Sequence, residues 1–145
     1  MDILVHSVPH LRGSIRVPPD KAVTQRAVLV AACAEGTTEL APWSNAQDCQ
    51  RACELIRGLG VRTQPRGEAL SIVGRGADGL QPPTAPLFCG ESATTLRLAS
   101  GLLAGQPFEA VLSAGPSLSR RPMRRIAEPL VRMGARIEGA RTSEA

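Results

Sequence analysis

The stretch Lys21–Leu40, KAVTQRAVLVAACAEGTTEL, decides how this chain is read. From Lys21 to about Ala34 it holds neither Gly nor Pro and is apolar nearly all round, which predicts a buried helix. Pro18-Pro19 breaks what precedes it, and Asp20 stands where an N-cap is needed. Gly36 stops the helix, and Thr37–Leu40 reads as a returning strand. Downstream, a second helix is expected from about Ala46 to Arg57, apolar at Ala52, Leu55 and Ile56 and closed by Gly58-Leu59-Gly60. Val61–Thr63 and Ala69–Val73 form an expected strand pair around the turn at Arg66-Gly67. Upstream, Ile3–Val5 and Gly13–Val17 read as short strands.

The same order then restarts. Pro82-Pro83 and Pro86 mark a loop, Ser92–Ala104 is helical, Gly105-Gln106-Pro107 turns, and Phe108–Leu112 is a strand. A helix from about Pro122 to Met133, Gly134 and a strand Ala135–Glu138 follow. The two halves, helix–AEGTTEL–helix–LGV and helix–AGQPFEAVL–helix–MGA, match in order and punctuation at an offset of about 70 residues. Strands alternating with helices place the chain in the α/β (α+β) class, as two copies of a βαβα-type unit. Its glycines end helices and form neither G-x-G-x-x-G nor a P-loop, so no nucleotide-binding reading is supported.

Composition narrows the function classes. The 145 residues carry 17 Lys or Arg against 13 Asp or Glu, a formal +4, and the single lysine is Lys21. With 43% hydrophobic and 21% charged residues the chain has the means to build a core. No apolar run approaches the ~20 residues of a bilayer crossing, and the start lacks the pattern of a secretory signal. A soluble cytoplasmic protein is the expectation. With no Tyr, two Phe and one Trp, stacking platforms for single-stranded nucleic acid are missing, so a nucleic-acid partner is not expected. Cys33, Cys49, Cys53 and Cys89 contain no C-x-x-C pair and lie far from His6 and His10. They read as free, buried thiols rather than a metal site, and the histidines as a surface pair.

Three stretches put cations or hydroxyls at expected helix starts: Asp20-Lys21 with Thr24 and Arg26, Glu91–Thr95 with Arg97, and Ser117–Pro122 with Arg120 and Arg121. A helix N-terminus attracts anions, so a cation placed there opposes the macrodipole unless an anion is bound. Three such starts suggest a polyanionic ligand held by several helix ends. Arg120, Arg121, Arg124 and Arg125 fit a solvated basic face equally well, and Thr94 and Thr95 fit simple capping.

The runs VPPDKAVTQRAVLVAACAEGTTEL, DCQRACELIRGLGV, GESATTLRLASGLLAG and PSLSRRPMRRIAEPLVRMGA, in this order and spacing, resemble the enolpyruvyl transferases, and among them those acting on shikimate 3-phosphate. The resemblance runs from about Leu11 to Gly139. It implies a fold of two domains, each of three βαβαββ units, of which this chain holds about two of six. Residues 1–17 would be N-terminal strands, the first pairing in the other domain. Residues 18–145 would be part of the N-terminal domain, with unit one at about 18–75 and unit two at about 85–139. It implies transfer of the enolpyruvyl group of phosphoenolpyruvate to the 5-hydroxyl of shikimate 3-phosphate, in aromatic amino-acid biosynthesis, with no cofactor or metal.

The resemblance also assigns residues. Lys21 matches a catalytic, phosphoenolpyruvate-contacting lysine, and Arg26 the arginine that holds the shikimate carboxylate. Arg97 and Arg121 match arginines of the phosphoenolpyruvate site, and Thr94 the threonine of a Gly-x-x-Gly-Thr-type motif. Four positions depart from the family pattern. Ala22 replaces a serine, Glu91 an asparagine and Ala93 a glycine, and Gly115 an acidic residue. Glu91 is expected to bring negative charge towards an anion site. The Ala93 methyl is expected to crowd the phosphoenolpyruvate pocket, a change linked in the family to weaker glyphosate inhibition. The third unit, the second domain and the acidic proton-transfer residues of the family have no counterpart here. The expectation is therefore a piece inactive alone, completed by the remainder of a parent chain or a second subunit. A diverged transferase for another phosphorylated acceptor, or a non-catalytic binding or assembly module on the same scaffold, are the alternatives.

Overall fold

The computed structural model describes residues 3–139. Lys21–Cys33 forms α1, capped by the Asp20 carboxylate, which accepts from the Val23 amide at 2.6 Å. The helix is less buried than its composition predicts: Val28, Leu29, Ala31 and Ala32 enter the core, while Val23 and Val30 face outward. β1 (Glu35–Leu40) follows directly, then α2 (Gln47–Gly58) and the hairpin β2 (Arg62–Arg66) and β3 (Ala69–Arg75). The sheet order is β1-β3-β2, antiparallel throughout, with Leu40 opposite Leu70 and Arg66 opposite Ala69. The two-residue loop Gly67-Glu68 has positive φ only at Gly67, the mark of a type II′ turn, whose twist matches the strands it joins.

The second half of the chain holds β4 (Leu87–Phe88), α3 (Ala93–Ala104) and β5 (Leu112–Ser113), with β4 and β5 parallel, as a helical crossover requires. A 3-10 turn at Leu118–Arg120 and α4 (Arg124–Arg132) are the last elements among the described residues. One core joins both halves: Val28 and Ala32 of α1, Leu55 and Ile56 of α2, Ile72 of β3, Ala99 of α3 and Leu118 all belong to it. Cys49, Cys53 and Cys89 are buried, and His6 and His10 are exposed.

Several expected elements are absent. Ile3–Val5 and Gly13–Val17 are not strands, and their apolar side chains stand in solvent, Ile3 at 77% exposure and Ile15 at 88%. A strand exists only through a partner edge, and no described strand pairs with either segment. Ala135–Glu138 likewise pairs with no strand among the described residues. The strand expected at Phe108–Leu112 shrinks to Leu112–Ser113, because its partner β4 is only two residues long. β4 itself lies in what the prolines marked as loop. α4 begins at Arg124 rather than Pro122, since Leu118–Arg120 already forms its own turn and Arg121 is extended. Residues 140–145, included in the expected domain, lie outside the described residues.

Ile72 is fully buried on the central strand, in the cluster that also holds the core faces of α1 and α2. Replacing it with alanine is expected to cost about 3 kcal/mol, read as a lower denaturant midpoint at unchanged slope.

Candidate anion site at converging helix starts

The first turns of three helices meet. Gln25 of α1 is 1% exposed, and its Nε2 donates to Ser92 Oγ at 2.5 Å and to Thr95 Oγ1 at 3.1 Å. Ser92 is the N-cap of α3 and Thr95 lies in its first turn, where its amide donates to Ser92 Oγ at 3.2 Å. Both hydroxyl residues are buried, so the amide and the two hydroxyls satisfy one another where water does not reach. The α1 start is tied to α2 as well. Lys21 Nζ donates to Asp48 Oδ2 at 2.7 Å, and the Cys49 thiol donates to the Lys21 carbonyl at 3.4 Å. Asp48 sits in the first turn of α2, where a carboxylate is favoured by the macrodipole. Thr24 adds a third tie, accepting from the Ser44 amide at 3.1 Å.

The third stretch is held by Glu91. Its Oε1 accepts from the Ser117 amide at 3.2 Å and its Oε2 from the Leu118 amide at 2.6 Å. Glu91, expected to bring negative charge towards an anion site, thus has both carboxylate oxygens on backbone amides of the turn that follows β5. Gly115 packs against it, and Ala93, the first residue of α3, packs on the core margin. Ala22 carries on its carbonyl the one hydrogen bond of Arg26, from Nη1 at 2.9 Å.

At the expected anion sites, one first-turn amide of α1 and one of α3 are taken from within the chain, by Asp20 and Ser92, and Glu91 takes those of Ser117 and Leu118. Side-chain cations stand beside these starts. Arg26, Arg97, Arg120 and Arg121 are exposed and make no ion pair among the described residues. Arg124, by contrast, pairs with Glu128 one turn on, which holds its guanidinium above its ordinary range. The hydrogen bond to Asp48, reinforced by its charge, raises the Lys21 pKa above its ordinary 10.5. Lys21 is a fixed cation at neutral pH, suited to holding an anion and not to shuttling a proton. Burial pushes the Cys53 and Cys89 thiols up to about 11, so both are protonated packing groups.

The arginines of this face stand exposed. Two depressions among the described residues lie elsewhere: one of about 220 Å³ at Glu54, Gly58 and Pro83–Phe88, another of about 280 Å³ beside Trp43 and Arg57. No group of three His, Cys, Asp or Glu side chains is placed to hold a metal ion among the described residues, and no helix is long and apolar enough to cross a membrane. Of the residues read from sequence, Lys21, Arg26, Thr94 and Arg97 lie on the two helix starts that Gln25 joins, and Arg121 follows the turn that Glu91 holds. Gln25 and Asp48 were not legible as site residues. The available signal for Asp48 was a first-turn carboxylate in a chain with one lysine.

Residues 5–144 match the family described as EPSP synthase (3-phosphoshikimate 1-carboxyvinyltransferase). The chain belongs to the EPSP synthase family. It is 48% identical over 129 residues to the 3-phosphoshikimate 1-carboxyvinyltransferase of Methylococcus capsulatus, covering 88% of this chain and 30% of that protein. The corresponding protein of Brevibacillus brevis is 39% identical over 140 residues, 97% of this chain and 33% of its own length. Among solved structures, EPSP synthase from Acinetobacter baumannii aligns with a TM-score of 0.85 and 39% identity over 90% of this chain and 30% of that one. The fold is thus that of the enolpyruvyl transferases, and the chain spans about a third of the length of the curated EPSP synthases it matches.

Truncating Gln25 to alanine is expected to destabilise the chain by about 2 kcal/mol, since a buried hydrogen-bonded amide is lost and a void left. Arg26→Ala, on the exposed face one residue away, is expected to stay within about 0.5 kcal/mol. Chemical denaturation of the two variants checks this contrast.

Proposed function

We propose that this chain supplies the cationic wall of an enolpyruvyl-transfer site, in a parent enzyme that joins phosphoenolpyruvate to the 5-hydroxyl of shikimate 3-phosphate and releases phosphate. The observation that supports the reading is the Gln25 bridge, which joins the α1 start, on which Lys21 and Arg26 lie, to the α3 start, on which Thr94 and Arg97 lie. In this reading Lys21, Arg97 and Arg121 hold phosphoenolpyruvate, Arg26 holds the shikimate carboxylate, and Thr94 contributes a hydroxyl. Two anionic substrates repel each other in water. Fixed cations on a rigid frame offset that repulsion and stabilise charge as the new C–O bond forms and the C–O bond to phosphate breaks. Lys21, held charged by Asp48, acts electrostatically, and the proton transfers fall to groups outside this chain.

The open face and the exposed Ile3, Leu4, Val5, Leu11 and Ile15 support a second element of the reading: the rest of the parent chain, or a second subunit, closes the site and covers these residues. A cytoplasmic setting suits both substrates. The isolated chain is expected to bind phosphoenolpyruvate at millimolar concentration and to show no turnover.

NMR titration of the labelled chain with phosphoenolpyruvate, then shikimate 3-phosphate, tests this. Shifts confined to residues 21–26, 93–97 and 117–121 are expected, whereas shifts scattered over the surface, or none, would overturn the reading. Steady-state phosphate release at a full enzyme's rate would contradict the inactivity of the chain alone. The pH dependence follows from Lys21. Because Asp48 raises its folded-state value above 10.5, its charge and the pair persist at lower pH and fail only as pH rises past the ordinary lysine range. The response at Lys21 is therefore expected to be flat from about pH 7 to about pH 9. A midpoint within that interval would show a lysine depressed below its ordinary value and contradict this.

A further inference from the structure

We propose that Glu91 is a positioning residue for Arg121, and that Gly115 is its obligate partner. The clamp is continuous through named bonds. Glu91 Oε2 takes the Leu118 amide at 2.6 Å, and the Leu118 carbonyl takes the Arg121 amide at 2.9 Å. Leu118 is 1% exposed, so its side chain is fixed in the core while Glu91 fixes its amide. The other end of the segment is pinned where the Gly115 amide donates to the Gly90 carbonyl at 2.8 Å, next to Glu91 in sequence. Ser119 closes the turn, donating from its amide and its hydroxyl to the Gly115 carbonyl.

At Gly115 it is space, not backbone conformation, that a side chain would contest. A Cβ on it would meet Glu91 Oε1 and stand 2.7 Å from its Cδ, so the carboxylate would have to move off its two amides to make room, and the Gly115 φ is not in the left-handed region. The carboxylate therefore occupies the volume that any other residue at 115 would fill. A charge-assisted bond to two consecutive amides is stronger than a neutral one and fixes direction as well as distance. The carboxylate so bound cannot also project towards the cations of α1 and α3. The segment 115–121 is thereby tied through Gly90 and Glu91 to the residues just before the α3 N-cap, and the backbone of Arg121 is fixed to that segment through Leu118. This inference rests on the proposed function only in taking Arg121 as an anion ligand; the clamp itself stands on geometry.

The experiment is a mutant cycle on the 145-residue chain with two readouts: thermal unfolding with amide hydrogen exchange at Leu118 and Arg121, and phosphoenolpyruvate affinity from NMR titration. Gly115→Ala is expected to lower the melting temperature in the wild-type background and to cost little in Glu91→Ala, where the clashing carboxylate is gone. Glu91→Ala is expected to speed exchange at both amides and weaken phosphoenolpyruvate about five-fold, with no further loss on adding Arg121→Ala. Glu91→Gln, which keeps an acceptor and the shape, is expected to recover part of that affinity. Additive effects of Glu91→Ala and Gly115→Ala, or unchanged exchange at Leu118 in Glu91→Ala, would overturn the clamp. Unchanged or tighter phosphoenolpyruvate binding in Glu91→Ala, with Arg121→Ala still weakening it, would overturn the positioning role. If Arg121→Ala leaves affinity untouched, the failure is that of the proposed function at Arg121, and the positioning role falls with it while the exchange and melting data still decide the clamp.

Discussion

Gln25 places a primary amide between two helices in a part of the core that water does not reach, and gives both of its bonds to hydroxyls at the start of α3. A buried amide without partners costs more than the bonds themselves contribute, so the two helix starts are locked at the distance at which all three groups are satisfied. Everything on the cationic face inherits its geometry from that lock. Lys21 and Arg26 are one turn or less from Gln25 on α1, Thr94 is next to Thr95 on α3, and Glu91 is next to Ser92. Through Glu91 the constraint passes on to the turn at Leu118 and to Arg121.

The electrostatic logic follows from that frame. Cations at helix starts oppose the macrodipole and one another, and a small core has little stability to set against this. The chain answers with carboxylates directed at backbone amides and at one lysine. Asp20 caps α1, Glu91 caps the Leu118 turn, and Asp48 pairs with Lys21 from the first turn of α2. These three acids neutralise the helix ends without covering the arginines. The result is a rigid frame whose exposed guanidinium groups await anions, which is how the excess of positive charge is reconciled with a folded chain.

The sequence showed much of this and hid a specific part. Helix starts were legible because Asp20 and Ser92 are strong N-caps ahead of Gly- and Pro-free runs, and the β2–β3 hairpin because Gly67 marks its turn. The two stretches that match in punctuation carry different sheets, an antiparallel three-stranded one in the first and a parallel pair in the second. The strands at Ile3–Val5, Gly13–Val17 and Ala135–Glu138 failed because propensity describes a residue, whereas a strand is a property of two edges. β4 was hidden by its length and by the prolines just before it. At the site, the cations were legible from charge and position, but their connections were not. Gln25 reads as an ordinary helix residue until the fold brings Ser92 and Thr95 to it from about 70 positions away. Glu91 and Gly115 each looked like an isolated departure, and only their contact makes them one feature.

The central claim is that the helix starts and the turn before Arg121 form a single cooperative unit. Native-state hydrogen exchange at rising low denaturant concentration measures this directly, following the amides of Val23, Thr95 and Leu118, each bonded to a different capping side chain. If the claim holds, the three amides merge onto one opening isotherm in the wild-type chain. In Gln25→Ala all three drop to lower protection together. Three separate local isotherms, with only Thr95 responding to the loss of Gln25, would contradict it.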